Sequence, residues 1–229
     1  MRLSYDLHMH SCLSPCGSED MTPNNLVNMA ALLGLDLIAL TDHNSARNLP
    51  AACRVAEACG VTVVPGVEAC TSEEVHMLCL FETLEGALGF GEEIYKYLPP
   101  IRNKPEIFGE QMVRNEQDEP VDEEPLLLIN ALTLSIDRLL PLAREYGGEA
   151  IPAHANKSTT SIMSSLGFIP PDYGFACIEL NPPDERFAFQ GRRISDSDAH
   201  YLEQIHEPEF FLELPEKSPR AVVDYIKGR

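Results

Sequence analysis

Leu3-Ser4-Tyr5-Asp6-Leu7-His8-Met9-His10 alternates apolar and polar residues without a break. That period of two predicts a half-buried strand over 4–10, with Leu3, Tyr5, Leu7 and Met9 on one face and Ser4, Asp6, His8 and His10 on the other. Residues two apart on a strand point to the same side, so the imidazoles of His8 and His10 can reach one metal ion. Alone, the pair reads equally as two histidines on an exposed strand face. The rest of the chain decides between the two.

Strand-like and helix-like segments alternate beyond it. Thr22 as N-cap, Pro23 at the first helical position and Gly34 as a stop bracket a helix, and Asp36–Thr41 follows as a buried strand. Leu49–Cys59 is helical and ends at Gly60; Val61–Val67 and Val75–Phe81 are strands; Leu84–Leu98 is a helix stopped by Pro99-Pro100. Further on, Ser135 opens a helix through Tyr146, Glu149–His154 is a strand and Thr159–Leu166 a short helix. Ala176–Asn181, Arg193–Ser197 and Glu209–Leu214 are strands, and Ser218 caps a last helix. Repeated strand–helix units predict a parallel sheet with helices outside it, in one domain over 1–229. The polar, proline-rich 99–125 segment breaks the rhythm and is expected as a long loop or insertion, a lid over the site or padding.

Composition narrows the function. Hydrophobic content of 44% and charged content of 23% are those of a soluble globular protein. No apolar run approaches a membrane span, and the N-terminus lacks a secretion signal. The seven cysteines are scattered and odd in number, so they read as reduced thiols of a cytoplasmic protein. Thirty-six acidic against 17 basic residues give a net charge of −19, which repels polyanions and makes nucleic acid an unfavoured partner. The oligomeric state is not legible.

Six of the seven histidines, His8, His10, His43, His76, His154 and His200, fall at or near the C-terminal end of an expected strand, His76 being nearer its strand's start. Active sites of α/β barrels are built at those ends. Glu68 emerges after Val63-Val64-Pro65 where a carboxylate can bridge two ions, and Asp198-Ala199-His200 repeats the spacing of two. Asp42 and Asp196 read as carboxylates that orient a ligand histidine, or as turn residues.

His8-x-His10, Thr41-Asp42-His43, Gly66-Val67-Glu68, Pro152-Ala153-His154 and Ser197-Asp198-Ala199-His200, in this order along the chain, resemble the PHP (polymerase and histidinol phosphatase) domain. The resemblance implies a distorted (β/α)7 barrel and two or three divalent ions of zinc, manganese or iron. His8, His10, Glu68 and Asp198 would hold the first ion, and Glu68 would bridge to a second shared with His76 and His154. His43 and His200 would hold a third, with a residue from the loop after His10. Family members usually supply a His or Asp there, whereas Ser14-Pro15-Cys16-Gly17 offers Cys16, a good zinc or iron ligand as thiolate and otherwise a buried thiol beside a two-ion site.

Divalent ions lower the pKa of bound water towards neutrality, so the expected reaction is hydroxide attack on a small-molecule phosphomonoester. His43 or His200 would serve as general acid if the third ion is absent, with Asp198 also at the reacting centre. Lys157 is the leading cation for a phosphate oxygen, with Arg192 and Arg193 as alternatives. The rival readings are a phosphodiesterase or exonuclease, and a metal-bearing domain without catalysis.

Overall fold

A computed structural model describes residues 1–229. The opening strand, β1 (Arg2–Met9), pairs in parallel with β2 (Leu37–Leu40), and β2 with β3 (Thr62–Cys70). Their connections are α1 (Pro23–Leu33) and α2 (Leu49–Cys59). Thr22 caps α1 by accepting from Asn25 N, and Gly34 closes it in the left-handed conformation, as the sequence signals require.

The all-parallel expectation fails at the next strand. β4 (His76–Phe81) follows β3 after five residues, too few for a crossover, and runs antiparallel to it with Cys70 opposite His76. After α3 (Leu84–Tyr95), which stops three residues short of the expected Leu98, the chain reaches the 99–125 segment. This is no structureless loop. It holds a short helix, α4 (Pro105–Phe108), and a hairpin of β5 (Met112–Arg114) and β6 (Pro120–Glu123). Asp118, at its tip, accepts from Thr22 Oγ1 and Asn24 N, and Arg47 pairs with Asp122 and Glu124.

The strand–helix order then returns with α5 (Ile136–Glu145), β7 (Gly148–Pro152), α6 (Ile162–Leu166), β8 (Cys177–Glu179), β9 (Arg192–Ile194), β10 (Phe211–Glu213) and α7 (Pro219–Ile226). The main sheet has the order β10-β1-β2-β3-β4-β7, with β8 and β9 as a separate parallel pair. The sheet curls, consistent with a distorted barrel. Ala155 N donates to Glu179 O (2.8 Å) between β7 and β8, and His10 N to Ala199 O (2.9 Å) returns the chain from β9 to β1. Two apolar clusters fill the two sides. Eighteen buried residues, taken from one face of the strands and from α7, form the inner one; 41, including the apolar faces of α1, α2, α3 and α5, form the outer.

β1 does not keep its alternation. Leu3, Tyr5 and Leu7 belong to the inner cluster, but Met9 belongs to the outer. The pairing of β1 with β2 shifts register between Asp6 and Met9. An extra residue inserted there reverses which face each later side chain takes. His8 and His10 are thereby turned to the inner side, which strict alternation assigns to Leu7 and Met9.

Candidate metal centre

Glu68, 1% exposed, stands at the middle of the site. Its Oε1 lies 2.8 Å from His76 Nδ1, 3.1 Å from His154 Nε2 and 3.3 Å from His8 Nε2; its Oε2 lies 3.0 Å from His43 Nδ1 and 3.4 Å from His10 Nε2. Asp198 adds a second carboxylate, with Oδ1 3.2 Å from His10 Nε2 and 3.5 Å from His8 Nε2. The antiparallel β4 accounts for His76, which begins its strand yet lies beside the C-terminal end of β3. His43 comes from the turn after β2, where Asn44, at φ 50°, donates its N–H to Glu68 O (2.9 Å) and accepts from Cys70 N through Oδ1 (3.0 Å).

The donor set fits divalent ions. Donor atoms of His8, His10 and Asp198, of His43, Glu68 and His76, and of His10, His43 and His200 form three groups, each with its atoms within 4.8 Å of one another. Ser14 Oγ donates to Asp42 Oδ1 (2.7 Å) and so accepts from His10 Nδ1 (3.1 Å). With that proton on Nδ1, the lone pair of His10 Nε2 faces His8 Nε2, 3.3 Å away, whose own Nδ1 is taken by Glu179 at 3.0 Å. Glu179, Glu68 and Asp198 hold His8, against its burial, well above the usual histidine value, so without an ion a proton on His8 Nε2 bridges the pair, and a cation can take that proton's place. Glu68 Oε2 and His43 Nδ1 are buried without a hydrogen bond.

The charges follow from this crowding. Burial opposes ionisation of Glu68, but His76, His8 and His43 outweigh it and hold the carboxyl well below its usual range. His76, against burial, is pushed up to about 10 by Glu68. Burial, joined by His43, drives His10 well below the usual histidine value, and burial also lowers His43. Asp198 is lowered against its burial by His8 and His10. His154 and Asp198 both have left-handed backbones, φ 29° and 53°, an uncommon conformation that collects at functional sites.

The remaining expected residues divide. Lys157 is at the site, in an ion pair with Asp198. His200 is there too, its Nδ1 donating to Asp198 O (2.8 Å) and its ring 4.3 Å from that of His10. Arg192 and Arg193 are not: Arg192 donates to the carbonyls of Tyr225 and Arg229, and Arg193 to those of Phe187 and Phe189. Both sit at the start of β9, whereas the site lies past its end. Cys16 belongs to none of the three donor groups, and the residue is exposed rather than buried. Even so, desolvation of its thiol, with Glu68 and Asp198 nearby, pushes it up to about 12 in the metal-free protein. Asp42 does orient a histidine, through Ser14. Asp196 instead accepts from Leu7 N and fixes the β1 backbone.

Glu179 and Ser14 were not singled out by the sequence. Glu179 had a signal, a lone carboxylate in the apolar run Cys177-Ile178-Glu179-Leu180. Ser14 had none, because its role depends on a fold that brings Asp42 and His10 to one hydroxyl.

The PHP domain family model matches residues 6–138, more than half of the chain, and covers the end of β1 that carries His8, the turn after β2, Glu68 and His76. The chain belongs to the PHP domain family. Among solved structures, the lesion-specific endonuclease Q of Pyrococcus furiosus superposes with a TM-score of 0.71 at 22% identity, over 100% of this chain and 56% of that one. The chain thus spans little more than half the length of that enzyme. A protein described as a metal-dependent phosphoesterase from Bifidobacterium adolescentis gives 0.61 at 19% identity, over 97% and 94% of the two chains. An amidohydrolase from Chromobacterium violaceum, solved with sulfate and no metal, gives 0.62 at 18%, over 98% and 96%. No curated protein matches the sequence significantly. No helix of this PHP domain is long and apolar enough to cross a membrane, and all seven cysteines are unpaired.

Proposed function

We propose that this PHP domain is a metal-dependent hydrolase of small-molecule phosphomonoesters, working in a distorted (β/α)7 barrel. The observation that carries it is the convergence of six histidines on Glu68 and Asp198, with lone pairs and a carboxylate oxygen left for cations. His8, His10, Glu68 and Asp198 would hold one ion, Glu68, His76 and His154 a second, and His10, His43 and His200 support a third that Cys16 would complete. Such ions supply hydroxide at neutral pH and offset charge on phosphoryl oxygens. Zinc, manganese and iron all suit this imidazole-rich set.

The chain's own residues do the rest. Lys157, beside Asp198, is placed to hold a phosphoryl oxygen. Because Nδ1 of His200 donates to a carbonyl, its Nε2 is the atom that binds an ion or, when protonated, hands a proton to the leaving group; His43 is the alternative acid. The decisive assay is phosphate release from p-nitrophenyl phosphate and from its bis ester by the manganese-loaded protein. Turnover of the monoester alone supports the proposal; turnover of the bis ester alone replaces it.

The second reading is a nucleic-acid phosphodiesterase. The fold shared with endonuclease Q over the whole chain favours it. The net charge of −19 counts against it, since a phosphate backbone needs clustered cations.

A further inference from the structure

Glu179 is fully buried at the end of β8, on the inner face with Cys177, beneath the histidines. Its two carboxylate oxygens lie 3.0 and 3.1 Å from His8 Nδ1. Oε2 also accepts the backbone N–H of His154, at 2.6 Å, and the main-chain oxygen of the same residue accepts from Ala155 N at 2.8 Å. Side chain and backbone of one residue therefore grip the turn that presents His154, a turn whose φ of 29° is unfavourable for a side-chain-bearing residue. The same carboxylate faces the ring of His8 on β1, and the His8 and His154 rings lie stacked with centroids 5.9 Å apart.

An acceptor-only group on Nδ1 holds a proton there and turns the Nε2 lone pair towards Glu68 and Asp198. Glu179 holds His8 in this way at the ring and holds His154 at its backbone N–H, the Nδ1 of His154 being buried without a partner. His10 is held through Ser14 and Asp42, and His200 through a main-chain carbonyl.

We infer that Glu179 is a positioning residue shared by two metal shells, setting the tautomer of His8 for the first ion and the backbone of His154 for the second, while the third shell does not depend on it. The inference rests on the proposed metal centre but not on the identity of the substrate. Replacing Glu179 by Gln keeps shape and volume. In either orientation the amide NH2 replaces one acceptor and stands against a donor, 3.0 Å from His8 Nδ1 or 2.6 Å from His154 N.

Calorimetric titration of the chelator-treated protein with manganese tests this. In E179Q the affinity at two of the wild-type sites should fall about 10–100-fold, the range for losing a partner behind a ligand, with any third site unchanged. Far-UV circular dichroism should match wild type. Glu149→Gln, which removes a carboxylate paired with Arg144 away from the centre, should leave every affinity unchanged. Wild-type affinities in E179Q overturn the inference and leave the metal centre standing. An equal loss at all sites, or the same loss in E149Q, marks general destabilisation and also overturns it. A wild-type protein binding less than one ion per chain overturns the metal centre and the inference with it.

Discussion

His8 Nε2 and His10 Nε2 face each other at 3.3 Å, each with its opposite ring nitrogen committed to a hydrogen bond. Chelation should therefore remove the stabilisation that an ion bound at this pair gives the folded state. The melting temperature should drop by several degrees on chelation and recover with manganese or zinc, as expected for a ligand that binds only the folded state. Differential scanning fluorimetry reads this directly. A melting temperature indifferent to chelator would show that the cluster is stable as a purely organic network.

Asp198 and Lys157 form an ion pair but should fail differently. Asp198→Asn removes a proposed ligand and should lower kcat at least about 100-fold with loss of bound metal. Lys157→Ala should leave metal content intact and raise KM, by about tenfold for one lost charged contact to phosphate. Steady-state kinetics with metal analysis of both variants separates them; equal loss of metal in both would remove Lys157 from the substrate side.

In the metal-free protein the folded pKa of His76, about 10, exceeds its ordinary value of 6.5. Its contribution to stability is thus fully present below about pH 6.5 and is lost as pH rises through about 10. Glu68 and Asp198 are depressed, so theirs is present above the ordinary carboxylate range and lost on acidification. Melting temperature of chelator-treated protein should fall on both sides, and His76→Gln should flatten the alkaline limb. A melting temperature that rises from pH 6.5 to 10 would contradict the assignment.

Glu124 is 3% exposed and accepts from Arg47 and Tyr95, anchoring the 99–125 segment beside α3. Arg47→Ala leaves that buried carboxylate short of its charged partner, at a cost of about 1–3 kcal/mol. The melting temperature should fall by several degrees. A change under one degree would mean that the segment is held chiefly by its apolar contacts.

The helices from Pro23 and from Leu49 were legible because caps, prolines and stop glycines are local signals. The site residues were legible because their chemistry is unusual at strand ends. What escaped the sequence depends on distant pairing. The register shift in β1 shows only against β2, so regular alternation placed His8 and His10 with Ser4 and Asp6. The hairpin at 112–123 has only Val113 and Val121 as strong strand residues and is held by Arg47, Thr22 and Asn24, far from it in sequence. Arg192 and Arg193, expected as alternative phosphate contacts, open β9, whereas the site lies past its end.

Six histidines, Glu68 and Asp198 are proposed to hold two or three ions. Mass-spectrometric metal analysis of the manganese-loaded, desalted protein, compared with His8→Ala, tests this most directly. The wild type should carry two to three ions per chain and the variant at least one fewer. Less than one ion per chain in the wild type would contradict the proposal.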